Sequence, residues 1–274
     1  MKLDIDHHTT YRYSAPVRSS TQILRLTPQN GAGQQVLHWK LDTTGGATRT
    51  RDGYGNVLHV LTLDSAVEEI HIHSRGRIQT ATGADEGAEV ASVGVLSPLV
   101  FLRPTPLTRT RPAMVEFAEA WRRRAASLSG LREMASALNK RMPALAVDDV
   151  DSKQSDVSQA PASVPASSQV HAFIACLRHL GIPARYVSGY VYAPAASSAE
   201  EQGVGAASWH AWAEAWVVDR WRSFDVMARC PAGEQHVRVA IGADELDACP
   251  IRGVRTGGGL ETLTSSIQLT ASGA

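Results

Sequence analysis

The sequence predicts an α+β fold: a β-sandwich-like N-terminal domain, then a core whose central helix packs on an antiparallel sheet. Three observations carry the prediction. Residues 1–80 are short alternating segments broken by turn residues, the pattern of a small sandwich. Residues 111–142 switch to helical periodicity. Residues 169–226 then read as a helix, a strand and a strand–turn–strand unit. The implied division is a β-domain over 1–85, a linker or crossover over 86–110 and the core over 111–274.

The elements follow in order. In "LDIDHHTTYRY", Leu3, Ile5, His7, Thr9, Tyr11 and Tyr13 share one face, as the two-residue period of a strand requires. "QVLHWKL" alternates through Leu37, Trp39 and Leu41. "RDGYGNV" is dense in turn residues and leads into "VLHVLTL", a hairpin signal. "EEIHIHS" closes the series. A small, polar, Pro-containing stretch follows over 81–111. Thr110 is placed to cap a helix with Pro112 in its first turn. After Gly130, Leu131, Met134, Ala135, Leu138 and Met142 fall on one helical face.

Residues 144–168 have the Ser/Ala/Asp/Pro composition of an exposed loop. From Gln169 a helix buries Phe173, Ile174, Leu177 and Leu180, and Gly181 stands where a left-handed cap belongs. "ARYVSGYVY" is a strand; "WHAWAEAWVV" and "WRSFDV" form a hairpin turning near Asp219 and Arg220. The tail "HVRVAIGADELDACPIRGVRTGGG" reads as strand then loop, and "ETLTSSIQLTA" as a final strand.

Composition excludes several classes. Lys plus Arg equal Asp plus Glu at 27 each, so no net field favours nucleic acid or an anionic membrane. Three cysteines without a C-x-x-C argue against a disulfide framework or a zinc ribbon. No apolar run approaches the ~20 residues that span a bilayer, and the charged, alternating N-terminus is unlike a signal peptide. The expectation is a cytoplasmic protein.

Two residues stand out as chemistry. His210 opens one arm of the hairpin and Asp225 closes the other. A carboxylate bonded to one imidazole nitrogen fixes the tautomer, leaving the other nitrogen to act as a base toward a thiol or hydroxyl. Strict pairing about Asp219 sets His210 opposite a residue near 228. Asp225 then lies about three residues, roughly 10 Å, along the strand, unless a bulge shifts the register. The same two residues also read as an ordinary strand histidine and a turn aspartate. His7–His8, His71/His73 and His171/His179 hint at metal, but His71 and His73, which share a strand face, have no Cys, Asp or Glu partner at ligand spacing, and all six read as packing or surface residues with no metal site. The clustered glycines of "RTGGGL" lack a phosphate loop's lysine and helix. Of the tryptophans around the hairpin, Trp209 and Trp212 are candidates to line a substrate cleft.

"RHLGIPARYVSGY", "WHAWAEAW", "WRSFD" and "HVRVAIGADELDACPIRGVRTGGG" resemble the bacterial transglutaminase-like family, which has a papain-like core. "HHTTYRYSAPV", "LRLTP" and "DGYGN" resemble the β-domain preceding that core. The resemblance covers about 1–80 and 165–265. It implies thiol-based acyl transfer or amide hydrolysis through a Cys-His-Asp triad, with no metal or organic cofactor. His210 matches the family's histidine and Asp225 its aspartate. Its nucleophile motif resembles G-V-C-x-D-F-A-H ahead of L-G-I-P-A-R. Counting back from Leu180 without gaps, His171 falls on the motif histidine, Ser168 on its aspartate, Ala166 on its cysteine and Val164 on its glycine. After "FD", where the family has P-T-N, this chain has Val226, Met227 and Ala228.

The nucleophile is therefore absent, and the expectation is an inactive homologue binding a peptide-like ligand or partner protein. Two rivals are an active hydrolase with Ser167 or Ser168 as replacement nucleophile, and a purely structural protein. Cys176 lies ten residues beyond Ala166, ~15 Å along a helix, and reads as a small buried hydrophobe. Cys230, five residues past Asp225, reads as a plain thiol.

Overall fold

The first strand does the work of two. The computed structural model describes residues 1–31, 33–81, 96–145, 164–193 and 204–272. Strand β1 runs over Lys2–Thr27. Its alternation buries Leu3, Ile5, His7, Thr9, Tyr11 and Tyr13, as expected. The register slips between Val17 and Ser19, after which Ser20, Gln22, Leu24 and Leu26 are the buried set. The first half of β1 pairs with β5 (Val67–Thr80) and β11 (Glu261–Ser272). The second half pairs with β4 (Val57–Leu63) and β10 (Ile251–Gly257). Tyr11, Tyr13 and Val17 meet Leu24, Leu26, Leu61, Ile70 and Ile251 in one cluster, so the strand closes over its own apolar face.

β2 (Gln34–Thr43) pairs with β5, and β3 (Ala47–Arg51) with β4. Leu37 departs from expectation: it is 42% exposed rather than inward with Trp39 and Leu41. The register jumps from Val36 to His38, leaving Leu37 as the extra, unpaired residue of a bulge.

Of the expected linker, residues 86–95 lie outside the described residues. The remainder forms two 3₁₀ turns, Pro98–Leu102 and Pro106–Thr108, which bury Phe101 and Thr108. Helix α1 spans Pro112–Trp121 and α2 Leu128–Leu145. Arg111, not Thr110, is the N-cap of α1, and no side chain caps it. Helix α3 spans Val164–His179 and starts five residues before the expected Gln169. Its early start is compatible with Pro165, because a first-turn proline gives up no helical hydrogen bond. Every residue from Val170 to Arg178 is buried. These side chains pack with α1, α2, β6 (Ala184–Ala193) and β7 (Val204–Val217) in the second large core. Gly181 takes the expected left-handed conformation, with φ of 81°.

β8 (Arg220–Phe224) pairs with β7, and β9 (His236–Gly242) with the other edge of β6. The path through the sheet is β2-β5-β1-β11-β7-β6-β9. β10 and β11, which lie within the expected core of residues 111–274, pair along β1. The segment after Gly242 is not a simple loop, since it forms the short helix α4 (Glu245–Ala248) and then β10. Lone alternating segments carry no mark of which sheet they join; only their partners decide. Between the two halves, His7 Nδ1 meets the Tyr190 hydroxyl at 3.0 Å and His7 Nε2 meets Ser265 Oγ at 3.1 Å. Among the described residues no helix is long and apolar enough to cross a membrane.

Candidate functional site

The hairpin of β7 and β8 brings His210 to Asp225. β8 pairs Ala213 with Phe224 and ends there, so Asp225 sits nearly across from Trp212, one step of the two-residue period from His210. A diagonal reach on one sheet face is within a side chain's length. Asp225 then turns back, exchanging backbone hydrogen bonds with Cys230. His210 Nε2–H donates to Asp225 Oδ2 at 2.7 Å. The sequence expectation of a 10 Å offset is thus resolved by the carboxylate leaving the strict register.

A second imidazole reaches the same oxygen. His236 Nε2–H donates to Asp225 Oδ2 at 3.1 Å. Its Nδ1 accepts the Gly233 N–H at 3.2 Å, which fixes the neutral tautomer with the proton on Nε2. Asp225 Oδ1 accepts the Ala228 N–H at 2.9 Å. Burial works against the Asp225 charge, but the bonds from His210 and His236 outweigh it and hold the carboxyl well below the usual range. The Asp225 side chain is 1% exposed, whereas His210 is 19% exposed. His210 is therefore the solvent-reachable member, and its Nδ1 has no hydrogen-bond partner among the described residues.

Sequence reasoning missed His236. It lies in a quoted segment, but 26 residues of chain separate it from His210, and only the placement of β9 beside β6 joins them. Gly189 is the hinge of that placement. It pairs with His210 on one side and Arg238 on the other, at a register shift. A Cβ there would stand 2.0 Å from Val237 O and 3.1 Å from the Trp212 ring.

The two candidate tryptophans part company. Trp212 is 2% exposed, and its ring meets His236 edge-on at 5.2 Å. It supports the imidazoles from inside and offers no surface to a ligand. Trp209 lies on the opposite face of β7, edge-on to Tyr190 at 4.9 Å and 6.2 Å from His7. Adjacent strand residues point to opposite faces, so Trp209 cannot share the face of His210.

Ala166 is in the first turn of α3, but its side chain lies outside the described residues. Burial raises the Glu245 pKa, and the neighbouring Ser167 offsets part of that rise. His171 is buried, stacks on Tyr186 at 5.1 Å and accepts the Glu245 N–H at 3.2 Å. Burial pushes its pKa down to about 4. Cys176 is fully buried, and its thiol is pushed up to about 12 by burial. Desolvation and the Asp225 charge also raise the Cys230 thiol. Neither thiol is activated for attack. The turn after Asp225, which departs from the family's pattern, is tied to α2. Asn139 donates to Val226 O at 2.9 Å, and Arg229 donates to Asn139 Oδ1 at 2.8 Å.

A cavity of about 650 Å³ lies elsewhere, between the N-terminal sheet and β9, lined by Trp39, Tyr54, Phe101, Arg185 and Arg238 among others. Neither His210 nor Asp225 borders it.

Residues 3–79 match the bacterial transglutaminase-like N-terminal region, and residues 123–226 match the transglutaminase-like superfamily. An uncharacterized Mycobacterium leprae protein is 27% identical over 98% of both chains. Another from Mycobacterium tuberculosis is 27% identical over 91% of this chain and 86% of its own. The crystal structure of a putative cysteine protease from Cytophaga hutchinsonii superposes with a TM-score of 0.65 at 18% identity, covering 98% of this chain and 90% of that one. That likeness establishes a shared fold.

Proposed function

The chain belongs to the transglutaminase-like superfamily, and from that premise we propose that it is a catalytically inactive member that binds a peptide-like ligand or a partner protein beside His210. One observation carries the reading. The His210–Asp225 pair is kept at 2.7 Å in a chain whose nucleophile position aligns with Ala166. Acyl transfer of the family's kind needs a sulfur lone pair to attack a carbonyl, and a methyl group has none. What remains is an oriented imidazole whose Nδ1 has no partner among the described residues, suited to hydrogen bonding a backbone carbonyl or amide of a ligand. We read α3 as the central helix of the papain-like core; its unbroken burial over residues 170–178 supports this. Three unpaired cysteines suit a cytoplasmic setting, and the balanced charge suits a peptide or protein partner rather than nucleic acid.

Reactive probes test the reading. Serine- and thiol-directed acylating reagents are expected to leave the protein unlabelled in any His210-dependent way, while a binding peptide shifts tryptophan fluorescence. Labelling that His210→Ala abolishes would instead establish a working nucleophile.

A further inference from the structure

Two clusters of three His and carboxylate side chains converge closely enough to share one ion among the described residues. The buried one, around Asp225, is ill-suited to a metal. His236 Nδ1 accepts a backbone N–H, so its Nε2 must keep its proton and has no lone pair to give.

The second cluster lacks that obstacle. His8 on β1 and His73 on β5 are direct cross-strand partners, and Asp6 lies two residues before His8 on the same face. The two imidazoles stack at 3.7 Å between centroids and 19° between planes. Both present Nε2 to the Asp6 carboxylate, at 2.7 Å from His8 and 3.2 Å from His73. Neither Nδ1 has a hydrogen-bond partner among the described residues. In the ion-free protein each Nε2–H therefore donates to Asp6; an ion replaces those two bonds once each ring moves its proton to Nδ1 and frees the Nε2 lone pair. Asp42 is the cross-strand partner of His73 on its other side and adds a carboxylate next to the cluster. It is paired with Lys40 at 2.8 Å. Arg75, beside Asp6 in the pairing, lies 3.5 Å from Asp42 and offsets part of that charge.

We propose that Asp6, His8 and His73 bind a divalent transition-metal ion of the zinc, nickel or copper class on the outer face of the N-terminal sheet. Two nitrogen donors and one carboxylate oxygen suit those ions, whereas calcium and magnesium take oxygen shells. Exposures of 44% for Asp6 and 55% for His8 leave room for waters to complete the coordination. Two paired strands hold the donors, so the geometry is set before the ion arrives.

Zinc calorimetry and cobalt absorption titration on the tag-free full chain test this. The expected result is one ion per chain and cobalt d–d bands without a thiolate charge-transfer band. His8→Asn, His73→Asn and the shape-preserving Asp6→Asn should each weaken binding by at least about tenfold. His210→Asn should leave it unchanged. Circular dichroism confirms that each variant is folded. The proposal is overturned by no zinc binding, by full binding in the His8→Asn/His73→Asn double variant, by loss on His210→Asn, or by a thiolate band that would point to Cys230 instead.

Discussion

Asp225 accepts hydrogen bonds from two imidazoles and one backbone amide while almost wholly buried, so its charge is set by those donors. Asp225→Asn keeps the shape but turns an acceptor pair into half a donor against two N–H groups. A loss of about 2–4 kcal/mol is expected in urea unfolding at pH 7 followed by tryptophan fluorescence. Its depressed folded pKa makes a second point. The carboxylate's contribution is present above the unfolded value near 4 and is lost as pH falls through the folded value, so the variant should flatten the acid side of the stability profile. His171 acts at higher pH. Its folded pKa of about 4 lies below the ordinary 6.5, so the native ring declines a proton that the unfolded chain accepts. Stability is full above 6.5 and drops by about 3 kcal/mol on descending to 4. His171→Gln should remove that slope. Ala166→Cys tests the vacant position itself. The motif's glycine and aspartate are gone as well, so the new thiol is expected to alkylate no faster than Cys230 and to give no measurable amidase activity. The His210–Asp225 pair was legible because both residues sit in quoted motifs. His236 was not, because a contact across sheet order leaves no trace in local spacing.

Secondary-structure elements were legible where their periodicity is long and one-sided. The six inward residues of the first half of β1 and the apolar face of α2 needed only alternation or helical spacing. The errors fall where one residue changes phase. Leu37 turns outward because a bulge adds a residue that a strict two-residue count cannot see. The first turn of α3 was missed because small polar residues and proline suit both loops and helix N-termini. Gly189 shows what such local geometry controls. Gly189→Ala would push a methyl group into Val237 O and the Trp212 ring, forcing β9 away from β6. A cost of at least about 2 kcal/mol is expected in thermal unfolding. The His236 imidazole NMR signals should move in any folded fraction. An unchanged melting temperature would mean that the β6–β9 register is looser than the hydrogen bonds imply.

At the scale of the whole molecule, alternation marked many of the strands that dominate the structure, but the closure of the N-terminal sheet by β10 and β11 was hidden. Both are short alternating segments that read as pieces of the nearer core. Deleting residues 251–272 should therefore damage the distant N-terminal half: it strips β1 of two partners and removes the buried Ile251 and Leu269, each worth about 1.5–3 kcal/mol. Aggregation on size-exclusion chromatography and loss of cooperative melting are expected. A monomeric truncation with a sharp transition would show that the β-domain closes without them. The pairing of Lys2 with Ser272 also has a consequence in time. At ordinary elongation rates roughly 10–50 s pass between translation of the first strand and arrival of the last. Through that interval β1 presents an open edge on the ribosome, the kind that recruits wrong partners. The nascent chain should thus depend on co-translational chaperones more heavily than its size alone suggests.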